Sequence, residues 1–147
     1  MTAEQCLARE EIRALLAKYS ICGDRADFPG LASVFTINGV MESDVVKALG
    51  REEIAAKLGA LKASSEHRVN LGSMEFSRHN LTTSNIEFTG DATARGRTYF
   101  LVISNVGVDH AGVYVDDFAK INGEWKISHR LIRIDYCAPQ GHAPATR

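Results

Sequence analysis

The sequence predicts an α+β domain, in which a curved, mostly antiparallel sheet wraps around N-terminal helices. Helical periodicity dominates the first half of the chain, and four long runs with strand character follow from residue 77 onward. Gly90-Asp91 and Asn122-Gly123 have the composition of tight turns and join neighbouring runs, as in antiparallel hairpins. Helices first and strands last is the order typical of the α+β class.

Local signals define each element. Thr2 can cap the first helix, whose apolar residues recur with helical spacing until Gly23 favours a stop. Asn38-Gly39 indicates a turn beside a short strand. The predicted elements are helices over residues 2–22, 29–35 and 51–64, a short strand within 38–43, a loop over 64–75, and strands over 77–89, 92–105, 110–121 and 124–136.

Composition limits the function classes. The 147 residues suit a single domain, which we place at residues 1–137 and follow with a loose tail at 138–147. The formal net charge is -1, whereas nucleic-acid-binding proteins usually carry an excess of basic residues. No apolar run reaches the roughly 18 residues of a membrane span. The three cysteines have no CxxC spacing, and the N-terminus is polar, without the apolar region of a signal peptide. Both observations predict a cytoplasmic protein with reduced thiols.

Motifs for metals and cofactors are absent from the sequence. The five histidines are scattered and form neither HxH nor HExxH, and there is no GxGxxG, P-loop or GxSxG segment. We therefore expect neither a metal ion nor another cofactor.

His79 stands near the start of the first long strand. Histidine changes charge near neutral pH and suits a general base, provided that a carboxylate fixes its tautomer. Asp24, just beyond the first helix, is the candidate partner. The residues alone also fit a core or strand-end histidine, and a turn-forming role is the more common one for an aspartate in "CGDRAD".

Other polar residues could contribute to a site. Tyr19 and Tyr114 either pack in the core or present a hydroxyl group to a substrate oxygen. Arg130 is costly to bury alone, so it either pairs with Asp116 or Asp117 on the neighbouring strand or faces an anionic substrate group.

Small residues lie near the same part of the predicted sheet. His110 shares a strand face with Tyr114, and the preceding strand presents the small residues Ala94, Gly96 and Thr98 on one face. Such residues can leave volume for a ligand. Gly96 and Gly112 fit sheet bends equally well.

Three segments together resemble a known family. They are "EEIRALLAKYSICGDRADFPGLASVF", "RHNLTTSNIEFTGDATARGRTYFLV" and "GVYVDDFAKINGEWKISHRLIRID". Their order is similar to that of the SnoaL-like branch of the nuclear transport factor 2-like superfamily, over about residues 8–136. The resemblance implies a cone-shaped α+β barrel with an apolar pocket.

The resemblance also implies roles for single residues. In dehydratase-like members an aspartate after the first helix pairs with a strand histidine, and Asp24 and His79 match these two positions. Thr83 stands where many members have an asparagine, which leaves the substrate open. The expected catalytic residues are His79, Asp24 and Tyr19, and the expected substrate-binding residues are Tyr114, Arg130 and His110.

The leading hypothesis is a cofactor-independent lyase (dehydratase-like) or isomerase that uses His–Asp general base catalysis. Its partner would be a small hydrophobic cyclic molecule, with no nucleic acid and no membrane involved. The alternatives are a non-catalytic module of the same fold, which binds a small molecule or a protein, and a polyketide-type cyclase. The resemblance further implies a homo-oligomer, either a dimer or a trimer.

Overall fold

The computed structural model describes residues 1–66 and 76–143 of the chain. Helices and short strands share the first half of the chain, and four long strands follow one another in the second half. In chain order the elements are α1 (Ala3–Asp24), α2 (Phe28–Ala32), β1 (Phe35–Glu42), β2 (Lys47–Leu49), α3 (Arg51–Glu66), β3 (Ser77–Gly90), β4 (Thr93–Ser104), β5 (Gly107–Ile121) and β6 (Glu124–Cys137).

The six strands form one curved sheet in the order β2-β1-β6-β5-β4-β3. Every pairing is antiparallel except that of β1 with β6, which is parallel. The sheet is therefore mixed, and it does not close within the described residues, because β2 and β3 stay at its two edges. Helix α1 packs against β3 and β6, and α3 packs against β1 and β2. The predicted α+β class and mostly antiparallel sheet are confirmed.

Helix α1 forms as its sequence predicts. The Thr2 hydroxyl group accepts from the backbone N–H of Gln5, whose side chain accepts from the backbone N–H of Thr2, so the two residues make a reciprocal capping box. One face of the helix is buried, and its last buried residues are Tyr19 and Ser20. The helix continues through Gly23 to Asp24, two residues beyond its predicted end at residue 22.

The region after α1 differs from the prediction. Helix α2 ends at Ala32, and Phe35 begins β1 instead of extending the helix. Phe35 is completely buried opposite Ile127 of β6, so packing against the last strand decides its conformation. Asn38-Gly39 marks a register irregularity inside β1 and not a turn. Strand β2 was not predicted, and most of the loop predicted over 64–75 lies outside the described residues.

The four long strands lie within three residues of their predicted bounds. Two glycines that could have left space for a ligand are covered by aromatic rings. A Cβ atom on Gly96 would lie 2.7 Å from the ring of Phe118, and one on Gly112 would lie 3.0 Å from the ring of Phe100. The strand pairing also shifts next to Gly112, which fits the predicted bend there.

Residues 138–143 fold back onto β5. The backbone N–H of Ala138 donates to the carbonyl oxygen of Asp109 (2.9 Å), and the ring and backbone N–H of His142 both bond to the Asp109 carboxylate. This part of the expected loose tail is therefore attached to the sheet, whereas residues 144–147 lie outside the described part of the chain. None of the helices described is long and apolar enough to cross a membrane.

Candidate active site

Asp24 and His79 are in direct contact. Nδ1 of His79 lies 2.6 Å from Oδ1 of Asp24, and the backbone N–H of His79 donates to Oδ2 at 3.0 Å. Helix α1 supplies the carboxylate from its last residue, and β3 supplies the histidine from its third residue. An ionised carboxylate can only accept, so Nδ1 carries the hydrogen of this bond, and in the neutral ring Nε2 of His79 carries a lone pair. The pairing predicted from the sequence is therefore present as a geometric fact.

The His79 ring is reachable from outside. Its side chain is 25% exposed, whereas that of Asp24 is 9% exposed. Phe100 packs beside it, with 6.2 Å between the ring centroids, and His110 stands edge-on to it at 6.4 Å. The carboxylate is thus shielded while the basic nitrogen of the ring belongs to a partly exposed group, which is the arrangement that a general base requires.

Arg130 lies at the centre of the buried polar residues. Its Nε and Nη2 atoms donate to Oδ1 and Oδ2 of Asp116, each over 2.8 Å, and both side chains are completely buried. Its Cζ atom lies 4.1 Å from the ring centroid of Tyr19 and 3.9 Å from that of Tyr114, so the guanidinium group contacts both rings. Of the two aspartates considered from the sequence, the structure selects Asp116. Asp117 points to the opposite side and lies 3.5 Å from Arg95.

The electrostatics of this group keep its tyrosines neutral. Burial raises the pKa of Tyr19, although the charge of Arg130 opposes the shift. Burial, reinforced by Tyr19, raises the pKa of Tyr114 well above its usual value. For Arg130 burial lowers the pKa, but the contact with Asp116 outweighs it and the pKa rises. Both phenols therefore remain hydrogen-bond donors at ordinary pH. The Tyr19 hydroxyl group uses this capacity on Sδ of Met41, at 3.6 Å.

The six predicted site residues are not equally placed. Tyr19, Tyr114 and Arg130 form one buried cluster, and Phe100 connects it to the histidines, because its ring stacks on Tyr114 with 4.4 Å between centroids. Arg130 is 0% exposed and its observed bonds are internal, so its contact with a substrate stays a prediction. His110 stands beside His79, with 6.4 Å between the ring centroids.

Sequence reasoning missed Asp109 and His142. Asp109 is completely buried and accepts from the rings of His110 (2.7 Å) and His142 (2.6 Å). It is the extra residue of a β-bulge, since Val102 pairs with His110 and Ile103 already pairs with Val108. In a regular strand Asp109 and His110 would face opposite sides, and the bulge allows them to bond. The adjacent pair "DH" in the sequence was the available signal.

A separate surface groove of about 380 Å³ lies between β2 and α3. Val45, Val46, Lys47, Lys57, Ala60 and Leu61 line it. It contains none of the predicted site residues, so the apolar pocket expected over His79 is not this groove.

Comparisons with known proteins agree with this architecture. The chain matches the family described as SnoaL-like domain over residues 4–131, and no curated protein matches the sequence. One similar solved structure is a protein of unknown function with a cystatin-like fold from Nostoc punctiforme PCC 73102. It is 23% identical, with a TM-score of 0.77, and the match covers 95% of this chain and 97% of that chain.

Two further similar structures carry the names of enzymes. One is a candidate scytalone dehydratase from Novosphingobium aromaticivorans DSM 12444, at 20% identity and a TM-score of 0.76, covering 94% of this chain and 91% of that one. The other is hexachlorocyclohexane dehydrochlorinase LinA-type3 from Novosphingobium barchaimii LL02, at 20% identity and a TM-score of 0.73, covering 92% and 91%. At these identities the likeness establishes the fold. The family match, which spans residues 4–131, shows that the chain belongs to the SnoaL-like domain family.

Proposed function

We propose that the chain is a cofactor-independent lyase or isomerase that acts on a small hydrophobic cyclic substrate. The observation that carries the proposal is the Asp24–His79 contact, in which the carboxylate holds Nδ1 of the ring at 2.6 Å and the backbone N–H at 3.0 Å. Two bonds to one carboxylate fix both the position and the tautomer of the ring, which are the requirements for a general base.

In the proposed reaction Nε2 of His79 takes a proton from a substrate carbon. The electron pair of the broken C–H bond forms a double bond to the neighbouring carbon, and a hydroxide or halide ion leaves with the electrons of its own bond. The imidazolium ion then returns its proton to the hydroxide as water, or to bulk solvent. In an isomerase it would return the proton to a different carbon of the same molecule.

The aromatic surroundings support a substrate of this kind. Phe100 packs beside His79 and stacks on Tyr114, so an apolar ring that enters beside the histidine meets aromatic surface. Tyr19 and Tyr114 keep their protons, because burial raises the pKa of each. Tyr114 can donate to an oxygen that gains charge, and Tyr19 can do so by giving up its bond to Sδ of Met41. The two named enzymes of the same fold, a candidate dehydratase and a dehydrochlorinase, both have names that denote elimination.

A substrate panel with three variants tests the proposal. Cyclic ketones, hydroxysteroids, polyphenols and haloalkanes would be screened by thermal shift, and every ligand that stabilises the protein would be assayed for products by mass spectrometry. We expect His79→Ala and Asp24→Asn to lose about 10²- to 10⁴-fold in turnover while their melting temperatures stay near that of the wild type.

His129→Ala is the matched control. Nε2 of His129 lies 3.3 Å from Oε2 of Glu42, so it is also a histidine beside a carboxylate, but on the β1–β6 pair. We expect it to keep normal turnover. Near-normal turnover by His79→Ala or Asp24→Asn would refute the proposed base. Ligands that stabilise the wild type without ever being converted would indicate the binding module instead.

A further inference from the structure

A second aspartate holds two histidines at the same end of the sheet. Each oxygen of the Asp109 carboxylate accepts two hydrogen bonds. Oδ1 accepts from Nδ1 of His110 (2.7 Å) and the backbone N–H of His142 (2.8 Å), and Oδ2 accepts from the Ser104 hydroxyl group (2.6 Å) and Nδ1 of His142 (2.6 Å). Burial opposes ionisation, but these four bonds outweigh it and hold the pKa of Asp109 well below its usual range.

His110 and His79 stand on one face of the sheet. In the ladder His79 lies opposite Val102, which lies opposite His110, so the three side chains form one row across β3, β4 and β5. The two imidazole rings are 6.4 Å apart between centroids and nearly perpendicular. Phe100 packs against both, at 6.2 Å and 6.3 Å. A ligand that reaches His79 therefore comes within reach of His110.

The two rings have the same tautomer for the same reason. Each directs Nδ1 at an aspartate oxygen, so in the neutral ring Nε2 is an acceptor. Burial lowers the pKa of His110, and the bond that its ring donates to Asp109 does not compensate for this, so His110 is mainly neutral at neutral pH. Nε2 of His110 has no hydrogen-bond partner within residues 1–66 and 76–143. A neutral imidazole with such an acceptor binds an O–H or N–H group of a ligand, and it has no acidic proton to give.

The C-terminal segment is part of this arrangement. His142 arrives through a turn in which the Gly141 N–H donates to the carbonyl oxygen of Ala138 (2.8 Å). Gly141 itself passes so close to Asp109 that a Cβ atom would overlap the Asp109 carbonyl oxygen. Residues 138–143 therefore pack on the bulge next to His110 and hold the Asp109 carboxylate in place.

We propose that Asp109 is a positioning residue of the substrate site, which fixes His110 as the acceptor for a substrate hydroxyl group, and that His142 of the C-terminal segment completes this function. The inference rests on the proposed function and narrows its substrate class to a hydroxylated ring compound. The hydroxyl hydrogen binds Nε2 of His110 while the carbon that loses a proton faces His79. A substrate without such a donor leaves the His110 acceptor buried and unsatisfied.

Paired ligands test this preference without requiring turnover. The dissociation constants of 1-naphthol and of its methyl ether, 1-methoxynaphthalene, would be measured by calorimetry for the wild type and three variants. We expect the wild type to bind 1-naphthol at least about fivefold more tightly, since the ether lacks the hydroxyl hydrogen. His110→Ala should bring this ratio close to one. His142→Ala should lower it about twofold or more, and the control His129→Ala should keep the wild-type ratio.

Asp109→Asn is the most direct variant, but a completely buried carboxylate that accepts four hydrogen bonds also stabilises the fold, so the histidine variants decide the question. A wild type with no preference, a wild type that binds neither probe, or a His110→Ala variant that keeps the preference would overturn the assignment of His110. A His142→Ala variant with an unchanged ratio would overturn the positioning role. If the wild type prefers 1-naphthol but converts no ligand of the substrate panel, only the proposed enzymatic activity is refuted. If it converts a ligand of the panel but does not prefer 1-naphthol, only this inference is refuted.

Discussion

Replacing Asp116 by asparagine is expected to destabilise the protein by about 3–5 kcal/mol, because it leaves a completely buried guanidinium group without its counter-ion. Both oxygens of Asp116 accept from Arg130 at 2.8 Å, and both side chains are 0% exposed. An asparagine can accept only one of these bonds and turns an N–H group toward the cation. The contacts of Arg130 with Tyr19 and Tyr114 remain, but they are worth only roughly 0.5–2 kcal/mol each.

Urea unfolding, followed by far-UV circular dichroism and by the fluorescence of the single tryptophan, Trp125, measures the change. For a domain of this size the expected loss lowers the melting temperature by roughly 10–16 °C. The double variant Asp116→Leu/Arg130→Met removes both charges together and should recover most of the stability, since an apolar pair of similar volume often replaces a buried ion pair without loss.

Asp117→Asn is the control for this experiment. Asp117 is the next residue in β5, but its ion pair with Arg95 is long, at 3.5 Å, and lies on the surface, with side-chain exposures of 51% and 74%. Such pairs contribute about 0–1 kcal/mol, so the variant should unfold close to the wild type. If Asp116→Asn and Asp117→Asn differed by less than about 1 kcal/mol, the assigned role of the buried pair would be wrong.

Two further predictions concern a glycine pair and a histidine. Gly112→Ala should lower the free energy of unfolding by more than about 2 kcal/mol, because its Cβ atom would overlap the carbonyl oxygen of Arg133. Gly23→Ala in α1 should raise it by roughly 0.5–1 kcal/mol, because alanine favours a helix more than glycine does. Denaturant unfolding of both variants measures these changes, and equal effects would contradict the prediction. His110 should titrate below the ordinary histidine value of 6.5, because burial outweighs its bond to Asp109, and NMR of its ring protons against pH would contradict this with a midpoint at or above 6.5. Since its folded pKa is lowered, the stability it contributes is present above pH 6.5 and is lost as the pH falls below that value.

The strands of the second half were predictable because their signals are local. Gly90-Asp91 and Asn122-Gly123 lie within two residues of the observed strand ends, and alternation along each strand defines its faces. Only the second half of β1 was predicted, as a short strand within residues 38–43. Its first half was not, because the conformation there depends on a partner in β6, which lies far along the chain. Phe35 pairs with Ile127, and no local pattern in "LASVFTINGV" announces that contact.

The residues of the site also fall into those that were predicted and those that were missed. Asp24 and His79 were identified because a family resemblance connects positions that are 55 residues apart, and their contact is present. The bond between Asp109 and His142 needed two facts that the sequence does not display. One is a bulge that turns Asp109 toward His110, and the other is a chain reversal after Cys137 that returns His142 to β5.

The parallel pairing of β1 with β6 has a consequence for synthesis on the ribosome. Strand β6 is made after the other five strands of the described sheet, yet it lies between β1 and β5. Among the described residues it is the strand that connects the pair β2–β1 to the others. Until residue 137 has left the exit tunnel, β1 and β5 each present an unpaired edge, to which another nascent chain could add a strand. The domain therefore completes folding only after translation of β6, and chains truncated before that strand should aggregate.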